Sequence, residues 1–150
     1  MKLKKLLILL SYSLCLLGSC FAGGDKKRPP NLFLVPDGYV GWLEVQYGVK
    51  DAPALTVKGG YRLYKFPRTG FIKTSSPQLY GLAKDKICYL TPKGQKELFR
   101  GSEKTKAMVW GDRYTGGDEK SGPYTSAQYV FIGSWKQFQK VEDNPPWLHR

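Results

Sequence analysis

The stretch of sequence that decides the fold is LFLVPDGYVGWLEVQYGV, residues 32–49. Its apolar start is closed by Pro36-Asp37-Gly38, a tripeptide typical of turns because proline fixes φ and glycine tolerates positive φ. Beyond the turn two faces alternate, with Leu43, Val45, Tyr47 and Val49 on one and Trp42, Glu44 and Gln46 on the other. A period of two predicts a half-buried strand. The unit is therefore strand, turn, strand.

Short segments of the same kind follow along the chain. Residues 61–66 and 71–74 are rich in aromatic and apolar side chains and are separated by Pro67-Arg68-Thr69-Gly70, which predicts a β-hairpin. Further strands are predicted at 87–90, 107–110 and 129–132, a long polar loop at 111–121, and a short helix at 135–141 that begins after Ser134. We therefore expect a mainly β fold, a small antiparallel two-layer sandwich with a short C-terminal helix.

The N-terminal residues have a different composition. Three lysines, Lys2, Lys4 and Lys5, precede an apolar run over residues 6–17, as in a secretory signal. The run is shorter than the roughly 20 apolar residues of a transmembrane helix. We expect a signal peptide at 1–19, a flexible tether at 20–30, a β-rich domain at 31–141 and an extended tail at 142–150.

The end of the signal carries the most informative chemistry. Leu17-Gly18-Ser19-Cys20 resembles the bacterial lipobox, in which the cysteine receives diacylglycerol and becomes the first residue. This resemblance implies that Cys20 is lipidated and that the domain is anchored in the cell envelope, outside the cytoplasm. Cys20-Phe21-Ala22 also fits ordinary cleavage after Ala22, which would give a secreted or periplasmic protein. An uncleaved signal anchor is a third alternative.

The net charge of the chain limits the classes of molecule that it is expected to bind. The chain has 24 Lys and Arg residues against 12 Asp and Glu, a net charge of +12. Such a balance is common in nucleic-acid-binding proteins, but an exported domain does not meet nucleic acid. We expect a membrane partner through the N-terminal lipid, and anionic envelope polymers or an envelope protein as further partners. Lysines that protect strand edges from association explain the excess equally well.

Residues that commonly carry catalysis are scarce. His149 is the only histidine, and Cys88 is the only cysteine in the body of the domain, where its apolar neighbours predict a buried strand residue. The acids lie mostly beside Gly or Lys, as in turns. We expect no enzyme, no metal site and no cofactor; a hydrolase with paired carboxylates is the third-ranked alternative.

Aromatic residues offer the best candidates for binding. Trp42 would be an exposed platform for a sugar or protein unless a helix packs over it. Tyr114 and Tyr124 flank the loop at 111–121 and are predicted to form a binding edge. The expected function is a binding or structural role in an envelope lipoprotein, and the alternative is a secreted carbohydrate- or protein-binding domain.

Several strings together resemble a known group of proteins. They are FLVPDGYVGW at 33–42, YGV at 47–49, GYRLY at 60–64, FPRTG at 66–70, TSSP at 74–77, YG at 80–81 and, more loosely, YVFIG at 129–133. The set is similar to a family of bacterial secreted and lipoprotein domains of unknown function. The resemblance implies an extracytoplasmic domain without assigned catalytic residues. Residues 60–74 also bear a fainter likeness to prealbumin-like β-domains.

Overall fold

The computed structural model describes residues 27–101, 107–116 and 126–149. These residues form nine strands, one short α-helix and one 3₁₀ helix. In chain order the elements are β1 (Asn31–Pro36), β2 (Gly41–Tyr47), β3 (Thr56–Lys58), β4 (Tyr61–Lys65), β5 (Phe71–Lys73), β6 (Lys86–Thr91), β7 (Gly94–Glu97), β8 (Val109–Gly116), β9 (Ser126–Ile132), α1 (Trp135–Phe138) and the 3₁₀ helix (Pro146–His149).

The strands form two sheets. Sheet I has the order β3-β4-β1-β6-β7, and sheet II has the order β5-β2-β9-β8. The predicted mainly β, two-layer architecture with a short helix near the C-terminus is confirmed. The pairing differs from the antiparallel expectation, because β1 pairs in parallel with both β4 and β6, and β2 pairs in parallel with β5. Both sheets are therefore mixed.

The hairpin predicted over residues 61–74 is wrong. Its two strands, β4 and β5, lie in different sheets, and Pro67-Arg68-Thr69-Gly70 carries the chain from one layer to the other. Pro36-Asp37-Gly38 does the same between β1 and β2. Because β4 lies beside β1 and β5 lies beside β2, the two strand-turn-strand units are stacked side by side.

The core lies between the inward faces of the two sheets. The phenyl ring of Phe33 is central, with ring centroids 4.6 Å from Tyr64 and 5.5 Å from Phe66. The main buried side chains are Phe33, Val35, Tyr64, Phe66, Ile87 and Tyr89 from sheet I and its flanks, and Leu43, Val45, Tyr47, Val109, Val130 and Ile132 from sheet II. Each large apolar side chain contributes about 1.5–3 kcal/mol by leaving water.

Gly70 allows the two crossing turns to pack against each other. It has a φ of +70°, and a Cβ atom at this position would collide with the Tyr39 hydroxyl and lie 2.6 Å from the carbonyl oxygen of Trp42. The Tyr39 hydroxyl donates a hydrogen bond of 2.7 Å to that same carbonyl. A side chain at residue 70 would therefore separate the turns.

The later part of the chain matches the predictions unevenly. Thr91-Pro92-Lys93-Gly94 makes the predicted turn, between β6 and β7. The loop predicted at 111–121 is a strand as far as Gly116, and its remaining residues lie outside those described. The tail is a 3₁₀ helix at Pro146–His149 where an extended segment was predicted.

The last residues of the predicted tether are bound to the domain. Lys27 forms a β-bridge with Leu82, and Arg28 forms a salt bridge of 2.6 Å with Asp85. The backbone N–H of Arg62 donates to the carbonyl of Pro30 at 2.9 Å. The described fold thus starts at Lys27, four residues before β1.

Candidate functional site

The outer surface of sheet II is covered by aromatic side chains, and we call it the aromatic face. It contains all four tryptophans of the chain. Its members are Trp42, Trp110, Tyr129 and Phe131 on the strands, with Trp135 and Phe138 of α1 and Trp147 of the 3₁₀ helix packed over them. The C-terminal segments therefore cover this sheet.

Trp42 lies in the middle of the aromatic face. Its ring centroid is 5.1 Å from that of Trp147, 5.4 Å from that of Phe131 and 6.0 Å from that of Phe138. These edge-on contacts are the geometry that aromatic pairs prefer. Trp42 is thus a packing residue, as expected if a helix covers it, and it is not an exposed platform.

A bulge in β8 makes the close packing of Trp42 possible. The register with β9 shifts between Trp110 and Arg113, and Gly111 within the bulge has a φ of +57°. A Cβ atom on Gly111 would lie 2.8 Å from a ring carbon of Trp42 and 3.0 Å from one of Phe138. Glycine here supplies both the left-handed backbone and the space.

The polar face of β2 is buried, in contrast to the half-buried strand that its alternation predicted. Glu44 is only 6% exposed and Gln46 only 5%. The Gln46 amide donates a hydrogen bond of 3.0 Å to the Glu44 carboxylate. Apolar and polar residues on β2 therefore alternate between two buried faces, because sheet II is covered on both sides.

Tyr114, the part of the predicted binding edge that the structure describes, is 45% exposed and belongs to a polar network. The side-chain amide of Gln128 donates to the Tyr114 hydroxyl at 2.9 Å and to Asp112 at 3.1 Å, and accepts from Tyr47 at 2.8 Å. Asp112 also binds Arg100 at 2.6 Å. Partial burial and the nearby Asp112 carboxylate raise the pKa of Tyr114 to about 12. Tyr124 lies outside the described residues.

A groove of about 370 Å³ lies where the described chain begins, and we call it the tether-side groove. It is lined by Lys27, Arg28, Pro29, Gln78, Leu79 and Tyr80. Two buried donors at this groove, Arg28 Nε and Gln78 Nε2, have no hydrogen-bond partner among the described residues. The hydrogen bond with Asp85 raises the pKa of the Arg28 guanidinium.

A second groove, of about 320 Å³, lies at the edge of the sandwich where β3 and β4 of one sheet approach β5 of the other. Three lysines, Lys58, Lys65 and Lys73, line it. Leu55, Leu63 and Ile72 contribute apolar surface to its lining. We call it the lysine groove; it combines positive charge with an apolar surface.

A family model covers most of this architecture, since it matches residues 27–138. The chain belongs to DUF6843, a family of unknown function. The family was expected from the sequence strings, and its assignment confirms that expectation. The matched part contains both grooves and α1, whereas Trp147 lies beyond it.

The DUF6843 chain also resembles a solved structure. A crystal structure described as a "putative lipoprotein" from Bacillus anthracis superimposes with a TM-score of 0.58 at 18% sequence identity. The alignment covers 79% of each chain. At this identity the likeness establishes a shared fold. No curated protein sequence matches the chain.

The remaining candidate residues of the DUF6843 chain are its cysteines and its histidine. Cys88 is a free, buried cysteine on β6, as predicted, and burial raises the pKa of its thiol. His149 ends the 3₁₀ helix, and Cys20 lies outside the described residues. Within residues 27–101, 107–116 and 126–149, no group of three His, Cys, Asp or Glu side chains has metal-binding geometry. No helix among those described is long and apolar enough to cross a membrane.

Neither groove was predicted from the sequence. The tether-side groove forms because Lys27 and Arg28 pair with residues more than fifty positions later, and no local pattern reports such a pairing. One sequence signal was present: the apolar residues of Leu79-Tyr80-Gly81-Leu82 come one residue after a turn-forming Ser-Ser-Pro string. Apolar residues in an irregular segment indicate either burial or a contact surface.

Proposed function

We propose that this protein is a bacterial cell-envelope lipoprotein, anchored by diacylglycerol on Cys20, whose sandwich has a binding or structural role and no catalytic one. The observation that carries the proposal is the lipobox-like Leu17-Gly18-Ser19-Cys20, placed seven residues before Lys27, where the match to the family model begins. A solved protein of the same fold is described as a "putative lipoprotein", which supports it.

Acylation can be tested on the full chain expressed in a bacterium that processes lipoproteins. We expect the chain to label with radioactive palmitate, to sediment with membranes and to carry the mass of a lipid on residue 20. Cys20→Ala should abolish the label, because no sulfur remains to accept diacylglycerol, and cleavage after Ala22 should then release the protein. Cys15→Ala is the matched control and should keep both. A mature mass that corresponds to unmodified cleavage after Ala22 would contradict the proposal and favour the secreted alternative.

The lysine groove supports a binding role. Lys58, Lys65 and Lys73 line it together with Leu55, Leu63 and Ile72, so the groove offers positive charge to an anionic polymer. Envelope polymers of this chemistry would be accessible to a domain held at the membrane.

This binding role predicts that a polyglycerol-phosphate polymer associates with the protein and dissociates as salt is raised. Neutralising the groove with Lys58→Gln, Lys65→Gln and Lys73→Gln should weaken binding by about tenfold or more. Lys93→Gln, Lys96→Gln and Lys140→Gln together remove the same number of exposed lysines outside the groove and are the control. Equal losses in both variants would show that only net charge matters and would remove the groove from the proposal.

A further inference from the structure

Exposed apolar side chains are concentrated in one irregular segment, residues 78–82, which we call the tether-side loop. Tyr80 is 69% exposed, Leu82 is 62% exposed and Leu79 is 38% exposed. Single exposed apolar residues are common on protein surfaces, but several in one short loop indicate a contact surface. Gly81 has a φ of +124°, a conformation that favours glycine between Tyr80 and Leu82.

The tether-side loop is fixed next to the start of the described chain. Lys27 forms a β-bridge with Leu82, and the backbone N–H of Arg28 donates to the Leu82 carbonyl at 3.4 Å. Leu79 and Tyr80 line the same groove as Lys27 and Arg28. The exposed apolar residues therefore lie at the end of the sandwich from which the chain leads back toward Cys20.

Chain length limits how far this end can lie from an anchor on Cys20. Seven residue steps separate Cys20 from Lys27, which at about 3.5 Å per residue is no more than about 25 Å. Since Lys27 and Arg28 are bound to the domain, the connection cannot lengthen without breaking the Arg28–Asp85 salt bridge. An anchor on Cys20 would thus hold the tether-side end within about 25 Å of the bilayer surface.

The charge around the loop is complementary to anionic headgroups. Lys27 and Lys84 are exposed beside it, whereas Arg28 is paired with Asp85. Exposed cations of this kind contribute about 1 kcal/mol each at a negatively charged bilayer surface. Tyrosine beside leucine is also the combination found at membrane interfaces, where the ring lies at headgroup depth.

We propose that Leu79, Tyr80 and Leu82 insert into the interface of an anionic lipid bilayer while Lys27 and Lys84 contact the lipid phosphates, so that the sandwich stands on the membrane with this end down. The orientation rests on the lipoprotein proposal above, but the affinity of the loop for lipid does not. The lysine groove, at the edge formed by β3, β4 and β5, would then remain open to partners in the envelope.

Vesicle sedimentation tests the affinity without the lipid. The mature chain from residue 20, carrying Cys20→Ser, is mixed with vesicles of phosphatidylcholine alone or with phosphatidylglycerol. We expect salt-sensitive binding to the anionic vesicles, and a loss of about tenfold when Leu79, Tyr80 and Leu82 are all changed to Ser. Val57→Ser with Phe99→Ser, a pair that is also exposed but distant from the loop in sequence, is the matched control and should bind as the unchanged chain does.

The same variants separate lipid phosphate from free phosphate. Inorganic phosphate at the concentration present on the vesicles should not compete, since the apolar residues supply much of the affinity. Competition that abolishes vesicle binding, or equal binding by the Ser variant and the unchanged chain, would overturn the proposal.

A second measurement uses the lipidated wild-type protein in vesicles. Amide hydrogen exchange at residues 78–82 should slow relative to the same protein in detergent, while the turn at 91–94 should exchange equally in both. Unchanged exchange at 78–82 would contradict insertion even where Cys20 carries lipid. If the wild-type chain carries no lipid and the Cys20→Ser chain still binds anionic vesicles, the lipoprotein proposal is contradicted. The proposal that the loop binds lipid is then supported.

Discussion

The aromatic face and the tether-side loop are both rich in apolar side chains, yet among the described residues only the first is covered by other parts of the chain. On the aromatic face, α1 and the 3₁₀ helix place Phe138 and Trp147 against Trp42. At the loop, Tyr80 and Leu82 remain more than half exposed. Apolar residues on the aromatic face stabilise the fold, whereas those in the loop are available to a partner. Substitutions on the aromatic face should therefore lower the free energy of unfolding, and substitutions in the loop should weaken vesicle binding instead.

The largest expected effect is on the aromatic face. Trp42→Ala removes a ring packed by three others and should lower the free energy of unfolding by about 3 kcal/mol. Urea unfolding followed by circular dichroism measures this. Phe99→Ala, at a side chain that is 70% exposed, is the control and should change stability by less than about 0.5 kcal/mol. Similar values for the two would show that the aromatic face does not hold the sandwich together.

Gly111→Ala tests the bulge under the same rings. The methyl group must fit near Trp42 and Phe138 at a φ of +57°. Because backbone strain and crowding add, we expect the free energy of unfolding to fall by about 2–3 kcal/mol. Gly59→Ala has the same φ with no atom within 4 Å of the new methyl, and should lose only about 1 kcal/mol. Equal losses in thermal unfolding would mean that crowding at the rings contributes nothing.

Ser134→Ala tests how much the N-terminal cap of α1 contributes to stability. The Ser134 hydroxyl accepts a hydrogen bond from the backbone of Gln137, and the Gln137 side chain accepts one from the Ser134 backbone. Losing this capping box should lower the free energy of unfolding by about 1 kcal/mol. Ser134→Thr keeps the hydroxyl and should recover most of it. An unaffected unfolding midpoint in the Ala variant would show that α1 needs no cap to stay on the sheet.

The smallest effect is expected at the tether-side loop. Tyr80→Ser should change the free energy of unfolding by less than about 0.5 kcal/mol, because the side chain is 69% exposed. Its consequence should be found in vesicle binding. A loss of more than 1 kcal/mol in urea unfolding would place Tyr80 among the structural residues and remove the contrast between the two regions.

The sequence predicted most strand positions because alternation and turn residues are local signals. It failed where the answer depends on distant contacts. Pro67-Arg68-Thr69-Gly70 was correctly identified as a turn, but a turn between paired strands and a turn between layers use the same residues. The destination of β5 is set by its pairing with β2, which no short window contains.

The candidate site was predicted less well for the same reason. The packing of other rings over Trp42 depends on residues about a hundred positions later, although a short helix beginning after Ser134 was predicted there. Glu44 was expected at the surface, because alternation cannot distinguish a solvated face from a covered one. Whether apolar residues such as Tyr80 are exposed depends on the path of the whole chain.

The parallel pairing of β1 also has a consequence for the order of folding. β1 is the first of the described strands to be made, but Leu32 pairs with Leu63 on one side and with Lys86 on the other. Sheet I therefore cannot assemble around its central strand until β6 has been synthesised. Contacts so distant in sequence slow folding, since a long loop must close before they form. Under the lipoprotein proposal, a chain whose central pairings form this late would still be unfolded when it reaches a secretion channel.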